Sequence, residues 1–373
     1  MASDTAPPEI VKGTCYALFA YDVAPSIDLA AVERLTAAAE KHRVFQPRRR
    51  IPAYFEYRPA PLRLVREAAP QPVGNHRTEP TVETVLYDFG AVSVTFAFPL
   101  GGALTDLVAL SDELYDNLVL RDAAQRSVEE LLTGLRPPLA HARVADLMEE
   151  YVVFHIEDLT PGFEPSRLLA EQGQVIAQLL RSERRPLSEQ EVADATSARV
   201  SVGRDDLTVI DWNTALLVGR VAEDVRAVLE FANVQLLELR YLDHLLDSTL
   251  ERSYELLGRG RWSKLAVVRS YEADLRRVAQ LQVDNTVLFE RITNALKLLG
   301  EQSVSRTYRL VAERLYLEEW DASVTRKLKT ADNLYHTLAD WAATRRVELL
   351  EWIIIILIAV SIVIPFLGSG GAH

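Results

Sequence analysis

The chain has 373 residues, a quarter of them charged, with 41 Lys or Arg against 53 Asp or Glu and a formal net charge of −12. That balance excludes a fold that is polyanion-binding as a whole, leaving room only for a local basic patch. One cysteine, Cys15, excludes an internal disulfide and any multi-cysteine metal site.

In chain order, residues 1–12 form a tail with neither a basic nor an apolar stretch, which is not the pattern of a signal peptide. An α+β domain is expected over 13–210. Its elements begin with a mostly apolar strand at 15–22, where Cys15 is a core residue, and an amphipathic helix at 27–42 capped by Asp28 or Ser26. A strand at 51–58 follows, then a loop at 59–80 that holds five prolines. Residues 81–88 and 91–98 flank Phe89-Gly90 as a hairpin. Helices are expected at 104–117 and 122–135, a strand at 151–156, and helices near 165–181 and 188–195. Residues 101–210 hold most of the acidic excess, with 10 basic against 20 acidic side chains.

From residue 211 the pattern changes. Sixteen of the 17 prolines lie at or before Pro186, which permits long helices beyond it, because a proline inside a helix costs about 3 kcal/mol. Gly258, Gly260 and Gly300 separate three apolar-periodic runs. The first carries Val225, Leu229, Ala232 and Leu236, and the last carries Tyr308, Val311 and Leu315 and continues without a breaker toward the C-terminus. Steps of three and four predict a long antiparallel, coiled-coil-like helical stalk over 211–348. Residues 349–367 are apolar enough to predict one C-terminal transmembrane helix, since a span needs roughly 20 apolar residues. Arg345, Arg346, Glu351 and Trp352 would mark its interface, and 368–373 form a short uncharged tail. The arginines place the anchor in the inner (cytoplasmic) membrane with the N-terminal domain in the cytoplasm.

Chemistry is sparse. There is no phosphate-cradling GxxxxGK[ST], no GxGxxG, no HExxH and no GxSxG. His155 and Glu157 share a strand face, but two ligands are too few for a metal, and a hydrogen-bonded pair at a strand end explains them equally well. Catalytic residues, cofactor, metal and small-molecule substrate are therefore not expected. Asp22, Asp28, Asp88 and Glu157 are the carboxylates that an alternative, metal-dependent hydrolase or nuclease would have to gather. Lys41, Arg43, Arg48, Arg49, Arg50 and Arg58, interleaved with aromatics, are the candidate contact for RNA or lipid.

Two stretches carry a resemblance. Leu-Phe-Ala-Tyr-Asp-Val-Ala-Pro-Ser-Ile-Asp (18–28) and Arg-Val-Glu-Leu-Leu-Glu-Trp-Ile-Ile-Ile-Ile-Leu-Ile-Ala-Val (346–360) resemble the opening strand and closing signature of the "required for meiotic nuclear division" family (Rmd, or Sad1-interacting factor). Ser361 stands where members commonly place a glutamate, and the Pro-Asp-Phe-Phe/Tyr-Trp stretch is missing, so the chain looks like a divergent bacterial member. The resemblance implies a membrane-anchored protein without established catalysis, whose eukaryotic relatives form homo-oligomers and support mitochondrial translation by tethering ribosomes. The expectation is a non-enzymatic scaffold that self-associates and holds a cytoplasmic partner, with membrane lipid, further copies of itself and a ribosome or RNA as candidate partners.

Overall fold

The computed structural model describes residues 8–39, 46–47, 60–135, 142–160, 165–258 except Val202, Arg204 and Val221, 302–334, Glu351 and 353–358. Its organising strand is β1 (Glu9–Asp22), in which every residue from Ala17 to Tyr21 is buried. A strand apolar on both faces needs cover on both, so it belongs in the middle of a sheet between two layers. β1 pairs antiparallel with β7 (Ala91–Ala103) on one edge and with β8 (Met148–Leu159) on the other. The register shifts at both pairings next to Gly13, where a Cβ would stand 2.8 Å from the His155 carbonyl oxygen, so the bulge requires glycine.

Around this trio the described strands build a nine-stranded sheet. It takes in β2 (Gln46–Pro47), β3 (Leu62–Glu67), β6 (Thr81–Leu86), β9 (Arg199–Val200), β10 (Leu207–Ile210) and β11 (Thr214–Val218) in the order β2-β3-β6-β7-β1-β8-β11-β10-β9. A two-stranded ribbon of β4 (Pro72–Val73) and β5 (His76–Arg77) stands apart from it. The sheet is mixed: β8 and β11 run parallel, joined through α4 (Pro165–Arg181) and α5 (Glu189–Ala195), while the other pairs are antiparallel. The β6–β7 hairpin turns at Gly90, with φ of +107° and a would-be Cβ 1.5 Å from the Ala24 carbonyl oxygen.

Strand alternation divides the sheet into two unlike faces. Cys15, Phe19, Val94, Phe96, Phe154 and Ile156 share one hydrophobic core with Leu110 of α2 (Asp106–Leu114), Leu120 and Val128 of α3 (Leu118–Gly134), and Ile176 and Leu179 of α4. α1 (Leu29–Ala39) joins the same core through Leu29 and Val32, its first turn capped where the Ala31 N–H donates to Asp28 Oδ1 at 3.0 Å. The other face carries Arg63, Glu83, Ser93, Thr95, Glu149 and Tyr151, and it meets α6 (Glu223–Gly258). Arg63 bonds Glu230, Asn233 Nδ2 donates to the Glu149 carbonyl oxygen at 3.4 Å, and the rings of Tyr87 and Phe231 lie 6.1 Å apart.

The chain forms two units, Met1–Tyr241 with Thr286–Asp321, and Leu242–Asn285 with Ala322–His373, so the boundary falls inside α6. In the first, α7 (Gln302–Arg314) joins the sheet domain, and Tyr308 Oη donates to Gln235 at 2.5 Å. In the second, Leu242 and Leu246 of α6 and Val324, Leu328 and Ala331 of α8 (317–334) are buried, and Lys327 pairs with Asp243 at 2.8 Å and Asp247 at 2.6 Å.

Several expectations need correction. The fold class is an α/β domain on a mixed sheet, not an α+β domain followed by a coiled-coil stalk and a transmembrane helix. Every residue of α6 from Val228 to Gln235 is buried, so the stripe read as one face of a stalk is part of a helix enclosed by the sheet domain. The third long helix, expected to run unbroken from near Ser305, stops at a turn over Leu315–Tyr316, where Tyr316 has φ of +56°. No helix of the described residues is long and apolar enough to cross a membrane. Of the expected span at 349–367, Glu351 and Ile353 to Ile358 are described, helical and exposed, and the remainder lies outside the described residues, as do Arg345, Arg346 and Trp352. The single-pass anchor and the inner-membrane location are corrected on that finding. Residues 62–67 of the proline-rich stretch are strand β3, with its prolines outside the paired segment, and the strand expected at 51–58 lies outside the described residues.

Candidate functional site

Two connections at one end of the sheet domain are held by buried polar contacts and present apolar side chains to water. The β10–β11 turn is Asp211-Trp212-Asn213. Tyr151 Oη donates to the Asp211 carbonyl oxygen at 2.9 Å, and the Val152 N–H donates to that of Asn213 at 2.9 Å. The Asp211 side chain is fully buried. Its Oδ1 accepts from Arg314 Nε at 2.7 Å and from the Trp212 N–H at 2.8 Å, and Arg181 Nε lies 2.8 Å from Oδ2. Asp194 ties both arginines to α5, 2.8 Å from Arg314 Nη2. Burial pushes the Asp211 carboxyl above its ordinary range, and the two guanidiniums offset part of that rise. With its base clamped in this way, the turn projects Trp212 outward.

The α2–α3 connection is equally constrained. Asp116 sits at φ of +52° and its N–H donates to Glu150 Oε1 at 3.1 Å. Asn117 caps α3, accepting from the Leu120 N–H at 3.0 Å, while its Nδ2 donates to the Glu113 carbonyl oxygen at 2.7 Å. The result sets Tyr115 edge-on to Trp212, with ring centroids 6.2 Å apart and planes at 82°. Leu118 and Val119 follow in the first turn of α3. These four side chains are exposed by 51% (Tyr115), 64% (Leu118), 47% (Val119) and 41% (Trp212). Around them stand Asp116 paired to Arg121, and the exposed Asp122 and Arg126.

A second cluster is structural. Between β3, β6 and α6, Arg63 meets Glu83 at 2.7 Å and Glu230 at 3.4 Å, and Arg226 meets Glu83 at 2.9 Å and Glu223 at 2.9 Å. The Arg226 guanidinium also lies 4.6 Å from the Tyr16 ring centroid. Burial works against the Arg226 charge, but Glu83, Glu230 and Glu223 together raise its pKa. Burial raises Glu230, with Arg63 and Arg226 opposing.

The residues singled out from sequence do not gather at the exposed patch. Lys41, Arg43, Arg48, Arg49, Arg50 and Arg58 lie outside the described residues. Asp22 stands at one end of β1 opposite Ala91, and Glu157 pairs with Lys12 near the other end. Ten residues of strand separate those ends, roughly 33 Å at about 3.3 Å per residue. Asp28 caps α1, Asp88 lies in the β6–β7 turn, and His155 Nε2 bonds the Gly219 carbonyl oxygen at 2.7 Å. Among the described residues no group of three or more His, Cys, Asp or Glu side chains is placed to hold a metal. Cys15 is buried, and burial pushes its thiol pKa up.

Sequence reasoning missed Tyr115, Leu118, Val119 and Trp212. The available signal was the run Leu118-Val119-Leu120 after a capping asparagine, since helical phase buries only one of the three, and a tryptophan inside a strand-to-strand turn.

Residues 12–224, more than half of the chain, match the family described as uncharacterized protein MJ0711, N-terminal domain. The chain belongs to the MJ0711 N-terminal domain family. The curated "Uncharacterized protein MJ0711" of Methanocaldococcus jannaschii is 21% identical over 242 residues, which cover 63% of this chain and 71% of that protein. No solved structure matches. The MJ0711 N-terminal match opens on β1 and closes at the start of α6, so it takes in the sheet, its covering helices, Tyr115 to Val119 and Trp212.

Proposed function

We propose that this protein is a non-enzymatic, self-associating scaffold whose copies meet through Tyr115, Leu118, Val119 and Trp212. The observation that supports this reading is an exposed aromatic and aliphatic cluster held on two clamped turns. Tyr115 touches Trp212, with Leu118 and Val119 next in the chain, and grouped half-exposed apolar side chains mark an interaction surface, each gaining about half of the roughly 1.5–3 kcal/mol of complete burial. A second copy is the occupant that the rim favours. Asp116 and Asp122 stand beside Arg121 and Arg126, so a two-fold axis brings opposite charges together at its edge and like apolar groups at its centre. The resemblance of 18–28 and 346–360 to the "required for meiotic nuclear division" family supports the same reading, because eukaryotic members form homo-oligomers.

Sedimentation velocity of the full chain across a concentration series tests it. The expected result is a dimer at micromolar concentration, and a Leu118→Glu/Val119→Glu variant at least about tenfold weaker in association with an unchanged circular dichroism spectrum. A wild-type chain that stays monomeric to about 100 μM, or a double variant that associates normally, overturns the proposal.

A further inference from the structure

A cleft of about 680 Å³ opens at the β9 edge of the sheet, beneath α4 and α5. Leu169 and Gly173 of α4, Val192 of α5 and Leu207 of β10 form its apolar lining, and Arg199 of β9, paired opposite Val209 on the same face, stands on it, exposed. A volume of this size accommodates a small organic molecule.

The polar groups around the cleft are committed, with one exception. Thr196 Oγ1 donates to the Val192 carbonyl oxygen at 2.7 Å. Ser201 Oγ bonds the Gly203 and Asp206 carbonyl oxygens, each at 2.7 Å, and the Asp206 carboxylate accepts from the Gly203 N–H. Arg199 forms no ion pair or side-chain hydrogen bond among the described residues, although acids predominate in this part of the chain.

Gly173 gives an independent observation. A glycine inside a helix weakens it, and one is usually required by a positive φ or by a close neighbour. Neither holds here: Gly173 has no positive φ, and a Cβ at this position would meet nothing nearer than Val192 Cγ1 at 3.9 Å. The adjacent Gln172 leaves helical geometry, with φ of −124° and ψ of 19°, so α4 is kinked where it passes over the cleft. The missing side chain leaves space that no group of the described residues fills.

We infer that this cleft binds a small organic anion with an apolar body, a monocarboxylate whose carboxylate pairs with Arg199 and whose chain lies against Leu169, Val192 and Leu207. A guanidinium beside an apolar cleft recognises a carboxylate by two parallel hydrogen bonds, and the apolar wall takes up the chain behind it.

Calorimetric titration of the full chain with octanoate, 1-octanol and acetate tests the inference. Octanoate is expected to bind, with 1-octanol and acetate each at least tenfold weaker because one lacks the charge and the other the chain. Arg199→Gln should reduce octanoate affinity to the level of 1-octanol. Gly173→Leu, which fills the slot, should abolish both, while Gly173→Ala keeps binding and reports that the helix tolerates a side chain here. Absence of octanoate binding, or octanoate binding unaffected by Gly173→Leu, overturns the site. Full octanoate affinity in Arg199→Gln overturns the anion recognition.

Discussion

Glu149 lies on the α6-facing side of β8 and is buried, with the partly exposed Arg240 as its ion-pair partner and Trp320 stacked 5.9 Å from that guanidinium. Burial pushes its carboxyl up to about 7; Arg240 pulls the other way, and Glu150 adds a smaller upward push. The folded chain therefore holds this proton more tightly than the unfolded chain does. Between about pH 4.5 and 7 the native state binds the extra proton, so this contribution is present at low pH and is lost as pH rises through 7. Its full size is on the order of 3 kcal/mol. Glu149→Gln removes the titration. Urea unfolding should show the variant gaining stability relative to wild type between pH 5 and pH 8, and a difference that stays constant with pH would remove Glu149 from this role.

At the scale of elements, the face between the sheet and α6 is unusual for being polar on both sides. Glu223, Arg226 and Glu230 recur at steps of three and four along α6 and meet Arg63 and Glu83 from the sheet. Arg226→Ala leaves the three glutamates with Arg63 as their shared cation, and should cost about 3–5 kcal/mol, read as a lower urea midpoint. Adding Glu230→Gln to that variant should recover part of the loss, because one uncompensated buried charge disappears; no recovery would show that Arg226 acts by packing alone.

Much of the architecture was legible where the two faces of an element differ in polarity. The period-two alternation around Phe89-Gly90 marked the β6–β7 hairpin, whose polar face is covered by α6, and the apolar spacing of 165–181 marked α4. What escaped lacks that contrast. Leu207 to Ile210 and Thr214 to Val218 are wholly buried strands with no alternation to reveal them, and the enclosed part of α6 passed for a stalk because apolar residues at every phase include those of any single stripe. The Trp212 cluster depends on two turns meeting across a long sequence separation, and no local pattern announces that.

For the molecule as a whole, self-association ties stability to concentration. A chain that dimerises only when folded is stabilised by mass action, and its melting temperature should rise by roughly 1–2 °C for each tenfold increase in concentration. The net charge of −12 makes copies repel one another while the rim charges attract, so added salt strengthens the association where the net repulsion is the larger of the two and weakens it where the rim pairs are. Calorimetric scans at several protein and salt concentrations read both effects. A melting temperature independent of concentration would count against a folded dimer.

The central position of β1 has a consequence in time. This strand is made before both of its neighbours, β7, which ends at Ala103, and β8, which ends at Leu159. The parallel partner of β8 is not complete until Val218. At about 5–20 residues per second, the sheet is complete roughly 10–40 s after β1 is made, and β8 roughly 7–27 s after it. Until β8 arrives, the apolar run from Ala17 to Tyr21 is an edge open to any other chain. Nascent chains of this protein are thus most vulnerable to aggregation before β8 arrives, and a chaperone that shields the first strand has most to protect there.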